Sequence, residues 1–220
     1  CAIIWPVDED DYWHENKVSK QVKAFQEHEN VCIVGCNYYS MKDNVKVAES
    51  DLPEYVTLDE MFYSNIVGSF SFCMLRRKFV GDLRITKNLK AAQDWELWIN
   101  VLLKNYLNIY ILKDHLVNYN ISNDHKRLSN SYTEAHHSNV QVVRKFWKIM
   151  NESQRNFHKA LMLNQQSYLV EPNSVLTYLK SLKYAMMVLN RFRLKSTLGL
   201  LLKFWINRWY KICDRGKVIT

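Results

Sequence analysis

Apolar residues fill positions 2–7, give way to a run of acids, and return at helical spacing as Val18, Val22 and Phe25. The first run predicts a buried strand, which Pro6 bends or confines to an edge. The spacing that follows predicts a helix over 16–29, and the Val, Ile, Cys and Tyr of 31–39 predict a second strand. Residues 40–55 are polar and read as a loop. Thr57-Leu58-Asp59-Glu60 has the order of a capping box, so a short helix should run through Met61 and Phe62. Alternation over 69–75 predicts a further strand, ending in Arg76-Arg77-Lys78, and 82–92 reads as a loop. A helix over 93–104 carries a broad apolar stripe of Trp95, Leu97, Trp98, Val101 and Leu102. Short strands are expected at 107–112 and 116–121, and from Tyr132 onward the pattern is helical. The order implies an α/β body over 1–131 followed by an α-helical region over 132–220.

Length and composition narrow this picture. A chain of 220 residues suits one domain with an appendage. Its 48% hydrophobic and 24% charged residues, with only five Gly and three Pro, describe a globular chain. Five cysteines, an odd number with no Cys-x-x-Cys pair, read as reduced buried thiols and not as a zinc site. Cys1 leads straight into the first predicted strand, so the chain is expected to be a fragment or processed product whose beginning lies upstream.

The net charge of +8 is uneven, because residues 174–220 hold ten Lys or Arg against the single acid Asp214. The same tail carries Leu179, Leu182, Ala185, Met186 and Leu189 at helical spacing, then Phe204, Trp205, Trp209 and Tyr210. Cations interrupt the apolar run before the roughly 20 residues that a bilayer span needs. Two readings stay open: a helix lying among the headgroups of an anionic membrane, or a helical pair packed on the body with a solvated basic face. No nucleic-acid module is visible, and the tail's apolar content argues against nucleic acid as a partner.

The candidate chemistry lies in two acidic segments. Asp8 and Asp10 stand two residues apart where a strand gives way to a loop, in Val7-Asp8-Glu9-Asp10-Asp11-Tyr12-Trp13. Two such carboxylates can hold Mn2+ or Mg2+ against a diphosphate, with Asp10 as the direct ligand. Asp11 would position the loop or a ribose hydroxyl. The plainer alternative is an acidic turn capping the next helix. Asp94, in Gln93-Asp94-Trp95-Glu96-Leu97-Trp98, is the candidate general base. Its place in a first helical turn lowers its pKa, while burial beside two tryptophans raises it. Trp95 and Trp98 would stack on an acceptor sugar or pack in the core. His125 and Arg127 would reach the metal or diphosphate from a closing loop, or sit in solvent.

In this order and context the segments resemble the family-2 glycosyltransferases of the GT-A fold. Val7 to Val18, followed by Gln21, is similar to the family's metal segment and the helix after it. Gly68-Ser69-Phe70-Ser71-Phe72-Cys73-Met74-Leu75-Arg76-Arg77 resembles its Ser-rich strand ending in Arg. Gln93 to Trp98 resembles Glu-Asp-Trp-Asp-Leu-Trp, with Gln93 in place of the first acid. Asn118-Tyr119-Asn120 with His125, Arg127 and Ser129 resembles the closing segment. The resemblance covers about 2–130 and implies a GT-A-like mixed sheet lacking its nucleotide-binding first half. It also implies a metal-dependent, inverting transfer of sugar from a nucleotide-sugar to a saccharide or lipid-linked acceptor. Cell-surface polysaccharide or lipopolysaccharide synthesis in bacteria would be the setting, in the cytoplasm at the inner membrane face. The alternative is an inactive truncated remnant that only binds a membrane or a partner.

Overall fold

The computed structural model describes residues 3–4, 7–121, 132–169, 180 and 183–184. The chain divides into two compact units, Cys1–Lys148 and Ile149–Thr220. The first unit holds a seven-stranded sheet: β1 (Ile3–Ile4), β2 (Tyr12–Trp13), β3 (Val31–Lys42), β4 (Val45–Glu49), β5 (Tyr55–Val56), β6 (Met74–Arg76) and β7 (Asn108–Asn120). Its helices are α1 (Lys17–Glu27), α2 (Leu58–Met61), α3 (Arg77–Val80), α4 (Gln93–Asn105) and α5 (Tyr132–Phe146). In the second unit, α6 (Glu152–Leu169) opens on a reciprocal cap between Asn151 and Gln154, with N···O distances of 2.8 and 2.9 Å.

The sheet runs β1-β6-β3-β7-β2, with β4 added to β3 and β5 to β7. The long strands β3 and β7 are parallel, and the other pairings are antiparallel. β3 is buried from Val31 to Asn37, which accounts for its near-continuous apolar run. The expected break in β7 is absent. Its register slips between Cys36↔Leu112 and Asn37↔His115, so Lys113 and Asp114 bulge out of one continuous strand. Those two charges interrupt the apolar pattern without interrupting the pairing.

The polar segment after residue 40 also contains structure. Asp43 and Asn44 both adopt positive φ, at 51° and 62°, and reverse the chain into β4. Asp and Asn tolerate that conformation better than other side chains with a Cβ, and it suits a tight hairpin. The capping box at Thr57 forms as expected, with both reciprocal bonds present. The predicted strand over 69–75 begins instead as a 3-10 turn at Phe70–Phe72 before entering β6.

α1 buries a face that apolar spacing does not mark. Lys17, Gln21, Ala24 and Phe25 point inward, while Val18 is 39% exposed. The buried polar pair replaces apolar contact with hydrogen bonds. Lys17 Nζ donates to Gln21 Oε1 at 2.7 Å and lies 3.9 Å above the Trp13 ring. Gln21 Nε2 donates to Val34 O and to Phe72 O, each at 2.9 Å. Burial holds the Lys17 ammonium below its usual pKa, against the opposing influence of Cys36 and Cys73. Gln21 thus ties α1 to β3 and to the 3-10 turn. Gln21→Leu is expected to lower the unfolding free energy by about 2–4 kcal/mol, since it strips a buried donor from two carbonyls and the acceptor from Lys17. Urea unfolding would show the loss, and an unmoved midpoint would mean that the tie carries no weight.

Cys32, Cys36 and Cys73 are buried free thiols. Burial pushes Cys32 and Cys36 up to about 12 and Cys73 well above its ordinary value. They are unreactive core residues.

Candidate active site

The acidic turn lies between β1 and β2 in the chain. Asp11 N donates to Asp8 O at 3.3 Å, closing the turn over Glu9 and Asp10. Pairing of Tyr12 with Asn118 seats the exit of the turn on the end of β7. Asp8 is fixed twice by serines from one segment: its N–H donates to Ser71 Oγ at 2.9 Å, and its Oδ2 accepts from Ser69 Oγ at 2.5 Å. Ser71 N donates in turn to Ser69 Oγ at 3.1 Å.

Asp11 turns inward. Its Oδ1 accepts from Asn120 N at 3.1 Å, while Oδ2 is buried without a hydrogen bond of regular geometry. Burial raises its pKa from an ordinary 3.8 to about 6. The Ser71 hydroxyl and the Asn120 N–H oppose that rise, and the charges of Asp10 and Asp8 add to it.

Asp94 enters from α4. The helix starts after Ala92, which adopts φ 59° and offers no side-chain cap. Asp94 Oδ1 accepts from Trp95 N at 2.7 Å, and Oδ2 accepts from Asn65 Nδ2 at 3.0 Å. Burial raises Asp94 from an ordinary 3.8 to about 6, against these hydrogen bonds, and the Asp8 charge raises it further. Of the two opposed influences expected from sequence, burial outweighs the helix terminus. A carboxyl with a pKa near 6 can hold or release a proton close to neutral pH.

One short segment therefore serves both acidic sites. Asn65 touches Asp94, while Ser69 and Ser71 hold Asp8. Between them, Gly68 adopts φ 81°, and a Cβ there would meet Phe72 Cε2 at 2.8 Å. Only glycine fits both the conformation and the space. Asp8 and Asp94, 86 positions apart in the chain, are thus linked through one hydrogen-bonded turn.

The remaining candidates fare differently. Trp98 is fully buried, with Nε1 donating to Gly68 O at 3.2 Å and its ring edge-on to Phe70. Trp95 is 5% exposed, and its Nε1 donates to Met61 O at 2.7 Å. Their assignment to acceptor stacking is corrected: both rings are buried, Trp95 against Met61 and Trp98 against Gly68 and Phe70, and neither offers a face to a sugar. Glu96, in the same motif, is a buried structural anion. Burial alone would raise its pKa, but the Lys145 ammonium at 2.5 Å and two hydrogen bonds from Thr86 outweigh it and hold the carboxyl below its usual range. His125 and Arg127 lie outside the described residues. Pattern reading passes over Asn65, and it includes Ser69 and Ser71 in the Ser-rich segment without giving them a site role. The signal was the density of Asn, Gly and Ser over 64–71, which favours a hydrogen-bonded turn over a strand.

A mixed α/β sheet with an acidic turn at one strand end and a raised carboxyl at a helix start defines a GT-A-like fold. Residues 1–84 match the family model described as Glycosyl transferase family 2. Asp94 lies beyond the matched residues. No curated protein matches the chain.

Proposed function

We propose that the protein is a metal-dependent, inverting glycosyltransferase that joins a sugar from a nucleotide-sugar to an acceptor hydroxyl. The observation that carries this reading is the common anchoring of Asp8 and Asp94 by residues 65–71. Asp94 takes the acceptor proton as the new bond from oxygen to the anomeric carbon forms. The bond between that carbon and the diphosphate oxygen breaks on the opposite face, and its electron pair leaves with the nucleoside diphosphate. A single displacement of this kind inverts the anomeric centre. Asp11, beside the proposed cation ligands and held by Asn120 N, would position the loop or a hydroxyl of the donor ribose.

Asp8 and Asp10 would hold the cation. Among the described residues no group of three or more His, Cys, Asp or Glu forms a metal cage. Two hard carboxylates nevertheless fit Mn2+ or Mg2+, which fill remaining positions with phosphate and water. When bound, the ion would supply neutralisation of charge developing on the diphosphate. Asp10→Ala is expected to weaken metal and nucleoside diphosphate binding together, by at least about tenfold. Titration calorimetry with Mn2+ and a nucleoside diphosphate, singly and combined, checks this; binding unchanged by the substitution would remove the acidic turn from the donor site.

His125 and Arg127 are proposed as further donor contacts on the strength of the family resemblance. The basic, aromatic tail supports a place at the cytoplasmic face of an anionic membrane, with a lipid-linked saccharide as acceptor and surface-polysaccharide assembly as the setting. No helix among the described residues is long and apolar enough to cross a membrane. Transfer assays across a panel of nucleotide-sugars, with and without Mn2+, test the reading as a whole. No turnover of any nucleotide-sugar by the full-length protein, with any sequence encoded upstream of Cys1 included, would overturn it.

A further inference from the structure

Two carboxylates from distant parts of the chain must keep one geometry, and one side chain braces their common support. Asn65 Nδ2 donates to Asp94 Oδ2 at 3.0 Å and to Gly68 O at 3.3 Å, while Asn65 Oδ1 accepts from Gly68 N at 3.0 Å. A primary amide has two N–H donors and one carbonyl, and both ends of this one are used. The two bonds to Gly68 close a loop whose next residue, Ser69, donates to Asp8. Gly68 O accepts a further bond from Trp98 Nε1, which ties the loop to α4.

We infer that Asn65 is a positioning residue of the transfer site, its amide fixing the Asp94 carboxylate to the turn that carries the Asp8 contacts. The inference rests on the reading of Asp94 as the base. A carboxylate at the start of a helix can swing about its χ angles, and a misplacement of about 1 Å can cost about 10²-fold in rate. Trp95 N restrains Oδ1 from one side. Asn65 restrains Oδ2 from the other, so the plane of the carboxylate is set while lone pairs remain for an incoming hydroxyl. Its donated bond also favours the ionised form that must accept the proton. The titratable groups that bear on Asp94 are Asp8, whose charge opposes ionisation, and Cys73, whose thiol is neutral. Neither can replace the Asn65 donor.

The test uses the full chain with Asn65→Leu and Asn65→Ser. Leucine keeps the volume and removes every hydrogen bond. Serine can still cap Gly68 N but is too short to reach Asp94, so it carries the same test should leucine not fold. Carboxyl 13C resonances of labelled Asp, with Asp94 assigned by its loss in Asp94→Asn, report the titration directly. Its midpoint is expected to rise in both variants. At pH 7, kcat should fall about 10- to 100-fold with donor KM within about twofold, and the acid limb of the rate profile should move up with the carboxyl midpoint. A merely structural residue would lower the melting temperature and leave that midpoint in place. A folded variant with an unmoved Asp94 midpoint and an unmoved acid limb overturns the inference. Undiminished turnover by Asp94→Asn would instead overturn the reading on which it rests.

Discussion

Asp94→Asn is expected to cut turnover by about 10²–10⁴-fold while the fold is retained. The amide occupies the same space and its oxygen can still accept from Trp95 N, but it cannot take a proton. Turnover equal to that of the parent would remove Asp94 from the chemistry. The parent's rate should fall on the acid side of about pH 6, because the base must be ionised to act and its pKa sits there. The same shift has a consequence for stability. Asp94 titrates near 3.8 in the unfolded chain and near 6 in the fold, so between those values the fold binds the extra proton. Stability therefore declines as pH rises through that window, and Asp11 acts in the same direction. Asp94→Asn should flatten this decline, which urea unfolding at pH 4 and pH 7 would register.

Trp98→Ala is expected to cost about 3–5 kcal/mol of unfolding free energy, the usual range for emptying a buried aromatic site. The ring is fully buried, edge-on to Phe70, and its N–H is bonded to Gly68 O. A side chain serving only as a sugar platform would behave otherwise, raising acceptor KM with the unfolding midpoint unchanged. Thermal or urea unfolding beside acceptor kinetics distinguishes the two.

Strong periodicity carried α1, β3 and α4 from sequence to structure, because each has one dominant apolar pattern and clear boundaries. β7 was divided in two because Lys113 and Asp114 bulge outward without ending the ladder. β4 was hidden because all of it is exposed, so alternation had no buried face to mark. The inward face of α1 could not be found by hydrophobicity, since Lys17 and Gln21 are buried through hydrogen bonds and a ring contact. The carboxylates of the site were legible from their motifs, and their supports were not. Asn65, Ser69 and Ser71 act through backbone and side-chain geometry at a glycine with positive φ, which residue type alone does not specify. The tryptophans were ambiguous for a related reason: an apolar helix face looks the same whether it meets a core or a sugar.

Beyond the family-matched stretch, α5 sets a lower limit on any excised version of the first unit. Its Lys145 neutralises the buried Glu96, its Ser138 Oγ accepts from Ala91 N at 3.0 Å, and its Glu134 meets Lys90 at 2.5 Å. Val142, Val143 and Phe146 of the same helix are buried. A chain ended before Tyr132 would strand Glu96 as an uncompensated interior charge, at a cost of about 3–5 kcal/mol. The boundary for dissection is the end of this helical clasp near Lys148, and not the close of the sheet.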